Sequence, residues 1–172
     1  KYFTLALQNN AISPGTYHFA LYRWTKHGVK PDELLVAVAD DPQVEASLFD
    51  LLHSAGEPSL APPPDVAECD ALDGRHHRKW TEAQANHIAE DRQLVEHRIQ
   101  SLTVSHRARC QAIEDQLARA MNDKIRLMKE GELARANVDF NRRMEELQQA
   151  MNGGDIRATP VVFGTVTILR EE

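Results

Sequence analysis

Residues 95–120, VEHRIQSLTVSHRARCQAIEDQLARA, decide how this chain is read. Val95, Ile99, Leu102, His106, Cys110, Ile113, Leu117 and Ala120 follow one another at steps of four and three. That period places them on one narrow stripe of an α-helix, the pattern of a coiled-coil seam. Upstream, Thr81 with Gln84 three residues on reads as a capping box opening the helix. Downstream, Met121-Asn122-Asp123 reads as a reversal, because the short polar side chains of Asn and Asp favour turns and N-caps. A second helix is predicted to Met151, with Ile125, Met128, Ala136, Phe140, Met144, Leu147 and Met151 on its stripe. Gly131 weakens it and Asn152-Gly153-Gly154 stops it. Folding the helices about residue 121 sets Leu117 near Ile125, Leu102 near Phe140 and Val95 near Leu147. An antiparallel coiled-coil hairpin over 81–152 is therefore expected. A single long helix that dimerises is the alternative.

Outward from the hairpin, the pattern changes. In 1–56, Tyr2–Leu7 reads as a short strand and Ser13-Pro14-Gly15 as a turn. Thr16–Thr25 (TYHFALYRWT) is apolar on both alternating sets, with Tyr17, Phe19 and Leu21 on one face and Ala20, Tyr22 and Trp24 on the other. Such a strand is covered on both sides, or on one side and by a partner. Glu33–Ala39 is a second strand, joined most simply by a β-hairpin. Asp41-Pro42 opens a helix, since Asp accepts from the first-turn N–H groups and Pro fits the first helical position. Val44, Leu48, Leu51 and Ala55 form its apolar stripe, and Gly56 ends it. Residues 57–80 hold Pro58, Pro62, Pro63, Pro64 and Gly74, and read as a Pro-rich linker or a long surface loop. In 153–172, Pro160–Leu169 is a strand returning to the others. The expected fold is α+β: a small antiparallel or mixed β-sheet body with one short helix and a long projecting antiparallel coiled-coil helical hairpin.

Composition narrows the function classes. The 172 residues carry 20 basic and 26 acidic side chains, a net of −6, which excludes a globally basic nucleic-acid-binding chain. The charge is uneven: residues 1–74 have a net of −7, whereas residues 75–151 have a net of +2 and five of the eight histidines. No apolar run reaches the roughly 18 residues of a membrane span. The chain begins at Lys1 with no signal-peptide pattern, so an excised segment of a longer cytoplasmic protein is expected, with Cys69 and Cys110 as unpaired thiols.

Catalytic patterns are missing from the sequence: no phosphate loop GxxxxGK[ST], no GxGxxG after a strand, no GxSxG and no HExxH. His76-His77 near Cys69, Asp70 and Asp73 lacks the paired spacing of a zinc site, and Arg75-His76-His77-Arg78-Lys79 reads as a solvated basic stretch. His87, His97 and His106 share no ligand spacing and read as hydrogen-bonded helix histidines. The acidic pairs Asp32-Glu33 and Asp40-Asp41 read as loop and cap residues. Arg107, Arg109, Arg119, Lys124, Arg126 and Lys129 gather towards the far half and tip of the expected hairpin. Acids are mixed among them, and Asp115–Arg119 and Asp139–Arg143 are expected i,i+4 pairs. The two readings of this face are a solvated coiled-coil surface and a phosphate-contacting arm.

Several strings carry a family resemblance: Ser101–Arg109 (SLTVSHRAR), Glu114–Ala120 (EDQLARA), Lys124–Met128 (KIRLM), Glu132–Ala136 (ELARA), Asp139–Leu147 (DFNRRMEEL), Asp155-Ile156 and Pro160–Gly164 (PVVFG). Together with Pro14–Trp24 and Leu48–Ala55, they resemble the C-terminal region of bacterial Swi/Snf-type helicase-related proteins. These are large DNA-dependent ATPases, some of them in phage-defence systems. Both motor lobes of that family are missing from the sequence, so no ATP-binding residue carries over. The resemblance implies a non-catalytic accessory domain without a cofactor of its own, ATP and magnesium belonging to the parent's motor lobes. Its implied partners are those lobes, double-stranded DNA held through phosphates, or another protein. For DNA contact the candidates are Arg107, Arg109, Arg119, Lys124, Arg126 and Lys129. A free-standing coiled-coil adaptor or dimerisation module is the alternative.

Overall fold

Strand β2 (Gly15–His27) explains the layering, because it buries side chains on both faces. A computed structural model of the chain describes residues 2–56, 59–60 and 65–170. The chain splits into two units: Lys1–Lys26, Pro31–Ala85 and Ile156–Glu172 form one, His27–Lys30 and Asn86–Asp155 the other.

The first unit holds a mixed sheet. Besides β2 it contains β1 (Tyr2–Gln8), β3 (Asp32–Ala39), the two-residue β4 (Ser59–Leu60) and β5 (Asp155–Leu169), in the order β3-β2-β5-β1-β4. β2 and β3 pair antiparallel from Phe19↔Ala39 to Lys26↔Asp32, the expected hairpin. β1 runs parallel to β5, from Tyr2↔Phe163 to Gln8↔Leu169. On one face, Leu5, Leu7, Phe19, Leu21, Val166 and Ile168 pack with Val44, Leu48 and Leu51 of α1 (Pro42–Ser54). Asp41 caps α1 as the sequence suggests, its carboxylate accepting from Gln43 N (2.8 Å) and Val44 N (3.1 Å).

The other face corrects the sequence reading. Ala20, Tyr22, Trp24 and Val38 pack with Leu72, Trp80 and Ala83, all on α2, which begins at Val66 and runs to Arg119. Residues 66–80 are thus helix, not linker; the proline-bearing residues 57–58 and 61–64 lie outside the described residues. Leu72, His76, Trp80 and Ala83 recur at steps of four, four and three, a helical stripe hidden because one member is a histidine. Gly74 does not interrupt it: a Cβ there would meet nothing within 4 Å, so its cost is only the roughly 1 kcal/mol of helix propensity. Nor does Thr81 cap a helix. Its hydroxyl donates to the carbonyl of His77 at 2.8 Å, one turn back inside α2. The helix opens earlier, where Glu68 Oε2 accepts from Asp65 N at 3.2 Å and Asp65 O accepts from the amides of Glu68 and Cys69, the Glu68 bond being one half of a capping box.

The outer edge of β3 is partly covered by side chains. Arg75 donates to Ala39 O (2.8 Å), Lys79 to Ala37 O (3.2 Å), Ala39 N donates to Glu45 Oε2 (3.1 Å), and Glu33 N donates to Asp32 Oδ1 (2.9 Å).

In the second unit, α2 from Asn86 onward lies beside α3 (Asp123–Ala150). His106 stacks on Phe140 (4.1 Å between ring centres) and Cys110 Sγ lies 3.8 Å from Asn137 Oδ1, so the two helices run antiparallel. Asn122 caps α3 through Lys124 N at 2.8 Å, where the sequence places the reversal. The loop before β3 is pinned by α2: Asp91 Oδ1 accepts from Val29 N (2.7 Å), and His87 Nε2 donates to His27 O (2.7 Å). Gly28 has φ +131°, and a Cβ there would approach both Asp91 carboxylate oxygens at 2.7 Å.

Two substitutions test the extended helix. Leu72→Ala should lower unfolding free energy by about 2–5 kcal/mol, as for a buried Leu, while Gly74→Ala should raise it by up to about 1 kcal/mol. Urea titration followed by circular dichroism reads both, and a linker at 66–80 would leave both silent. Gly28→Ala should destabilise by more than about 1 kcal/mol in the same titration, since both its φ and its space are wrong for a side chain.

Candidate nucleic-acid interface

The stripe of α2 in the second unit falls where the sequence puts it: Val95 and Ile113 are buried, and Ile99, Leu102, His106, Cys110, Leu117 and Ala120 are half-buried. On α3, Ala136 is buried and Phe140, Met144 and Leu147 half-buried, but Ile125 and Met128 are exposed. Instead Lys129, Glu132 and Leu133 are half-buried in that part of the helix. Ile125 and Met128 therefore join Met121 and Leu127 as exposed apolar side chains around the reversal.

This shift decides the fate of the basic candidates. Lys129 is half-buried and donates to Glu132 at 2.9 Å, so its charge is spent on a carboxylate of its own helix. The same hydrogen bond holds the Glu132 carboxyl below the usual range, with help from the charges of Lys129, Arg109 and Arg135. Arg107, Arg109, Arg119, Lys124 and Arg126 are all exposed and form no ion pair within 4 Å among the described residues. They do not share one face. Arg107 and Arg109, two residues apart, point about 200° from one another round α2.

Two expected i,i+4 pairs are replaced. Asp139 lies 3.7 Å from Arg142, which also bonds Glu146 at 2.8 Å, and Asp115 accepts from Gln111 at 3.0 Å. Arg119 and Arg143 are thereby left without an ion pair among the described residues. A cleft of about 110 Å³ opens between the helices, lined by Leu102, Ser105, His106, Arg109, Ala136, Asp139, Phe140 and Arg143. It brings the candidate Arg109 together with Arg143, which the sequence offered only as a partner for Asp139. The signal available beforehand was the antiparallel pairing of Leu102 with Phe140, which sets their neighbours on facing helices.

In the first unit, the histidine read as part of a solvated stretch is buried. His76 lies flat on Tyr22 (3.5 Å between ring centres, 10° between planes), and its Nε2 accepts from Trp24 Nε1 at 2.8 Å. Tyr22 donates its hydroxyl to Asp73. Burial foremost, then the Asp73 carboxylate, pushes the Tyr22 phenol above its ordinary range. Burial, followed by the charges of Asp73 and Asp70, likewise raises the Cys69 thiol, which disfavours a reactive thiolate. Tyr22 and Trp24 thus belong to a core covered by this chain's own helix. Among the described residues no three His, Cys, Asp or Glu side chains are grouped to hold a metal ion.

His76 is a hydrogen-bond acceptor only while neutral, and burial lowers its pKa, opposed by Asp73 and reinforced by His77 and Lys79. Its contribution to stability should be fully present above the ordinary value of 6.5 and be lost as pH falls below it. Thermal unfolding followed by tryptophan fluorescence should show a midpoint falling between about pH 7 and pH 5. His76→Phe should be less stable at pH 7, leaving Trp24 Nε1 without its acceptor, and should show a flatter pH dependence. Compared with known proteins, the sequence matches no family model and no curated protein.

Proposed function

We propose that this chain is a non-catalytic C-terminal accessory domain of a bacterial Swi/Snf-like, helicase-related ATPase, working in the cytoplasm. Its second unit acts as an antiparallel coiled-coil hairpin that contacts the DNA backbone. The observation that carries this reading is electrostatic. The second unit is balanced, with 12 basic and 12 acidic side chains over 27–30 and 86–155, yet Arg107, Arg109, Arg119, Lys124 and Arg126 stand exposed without ion pairs among the described residues. Such cations contact phosphates without reading bases. ATP and magnesium are handled by the parent's motor lobes, and phage defence is one process such a parent serves.

A second reading is favoured by the exposed apolar group at the reversal, Met121, Ile125, Leu127 and Met128. In that reading the hairpin docks on the motor lobes or another protein, or the chain is a free-standing coiled-coil adaptor that dimerises.

Fluorescence anisotropy with duplex DNA at about 50 and 200 mM salt separates these readings. Binding should weaken steeply with salt, and Arg107→Ala with Arg126→Ala should reduce the slope by about two. No binding at low salt would remove the DNA reading. Sedimentation then divides the remainder, a monomer fitting a docking domain and a dimer the adaptor.

A further inference from the structure

The cleft between α2 and α3 is bordered by cationic side chains of both helices. Arg109 lines it from α2 and Arg143 from α3, so an arginine of each helix borders one concavity. Neither forms an ion pair within 4 Å among the described residues, whereas Arg142 next door is engaged by Asp139 and Glu146. Ser105 belongs to the same lining, whose apolar part is Leu102, Ala136 and Phe140, the last stacked on His106. The volume of about 110 Å³ holds several times the roughly 10–15 Å³ that one water requires.

Guanidinium groups match tetrahedral oxyanions through paired N–H donors, and a hydroxyl supplies a further donor. An apolar lining withholds competing hydrogen bonds and lowers the local dielectric, which strengthens the attraction. Asp139, also in the lining, opposes an anion, but its carboxylate is shared with Arg142 at 3.7 Å. Glu132, which feels the charge of Arg109, is hydrogen-bonded to Lys129 at 2.9 Å, so Arg109 and Arg143 are the cations of the lining without an ion pair within 4 Å among the described residues.

We infer that this cleft receives a single phosphate group of the DNA backbone, held by Arg109, Arg143 and Ser105. The inference rests on the DNA-contacting reading above and narrows it, from a diffuse basic surface to one seated phosphate that fixes the hairpin's register on the duplex.

The test uses the full chain, a fluorescently labelled mixed-sequence DNA duplex and, separately, inorganic phosphate. Arg98, exposed on α2 outside the cleft lining, provides the charge-matched control. Arg143→Gln should weaken duplex binding about threefold to fivefold and lower the salt slope by about one, with a smaller loss for Arg98→Gln. Inorganic phosphate titrated into the wild-type chain should shift the Ser105 and Arg143 amide signals in NMR spectra, and not those around Arg98. Unchanged thermal unfolding of both variants excludes a folding effect. If the duplex binds but Arg143→Gln loses no more than Arg98→Gln, the seated phosphate is overturned and the DNA reading stands. If the duplex does not bind while phosphate shifts Ser105 and Arg143, the cleft is an anion site and the DNA backbone is overturned as its ligand. If neither probe acts, both ideas fail.

Discussion

Two-sided burial of β2 is the constraint on which the sheet unit depends. A strand with Phe19 and Leu21 on one face and Tyr22 and Trp24 on the other needs a cover for each. At roughly 25 cal/mol per Å² of apolar surface, two aromatic side chains left in water would forfeit several kcal/mol. Helix α1 covers the first face and the opening turns of α2 cover the second. The second cover brings polar atoms with it, and three bonds match them: Trp24 to His76, Tyr22 to Asp73, and Trp80 to the carbonyl of Ile156 at 2.8 Å. A buried polar group without such a match costs more than the bond itself contributes, so these pairs fix which way α2 lies on the sheet.

Much of this was legible in advance. Alternation gave the two faces of β2, and Asp41-Pro42 marked the start of α1. The four-and-three spacing from Val95 marked the stripe of α2, and Asn122 its reversal. The missed portion has a physical cause. A neutral, stacked imidazole is an aromatic side chain in all but name, and a reading that scores His76 as a charge breaks the stripe from Leu72 to Ala83. Gly74 and the preceding prolines then completed the appearance of a linker. A glycine facing open space is a tolerated cost, whereas a proline inside the helix would have been a barrier.

The candidate interface was legible in composition but not in geometry. Counting charges set residues 75–151 apart at +2, although Arg75, Arg78 and Lys79 against Glu82 account for all of it. It could not say that Lys129 turns inward to Glu132, or that Asp139 chooses Arg142 over Arg143. On a helix surface, i,i+3 and i,i+4 partners are separated by only a few tenths of a kcal/mol, too little for sequence spacing to decide between them. Which arginine is left free is settled by side-chain packing, and that choice determines where an anion can sit.

The side chains along β3 have a consequence for how this chain meets others. In an antiparallel ladder every second residue turns its backbone groups outward, here Glu33, Leu35, Ala37 and Ala39. Side chains occupy the amide of Glu33, the carbonyl of Ala37 and both groups of Ala39, so only Leu35 retains its full pair. With the carbonyl of Glu33 and the amide of Ala37, four of the eight outward groups stay open, so strand addition, the route by which exposed sheet edges capture peptides or seed fibrils, finds half the hydrogen bonds of a bare edge. Recruitment along this edge is thereby weakened, most of all at its Ala39 end, where both backbone groups are taken.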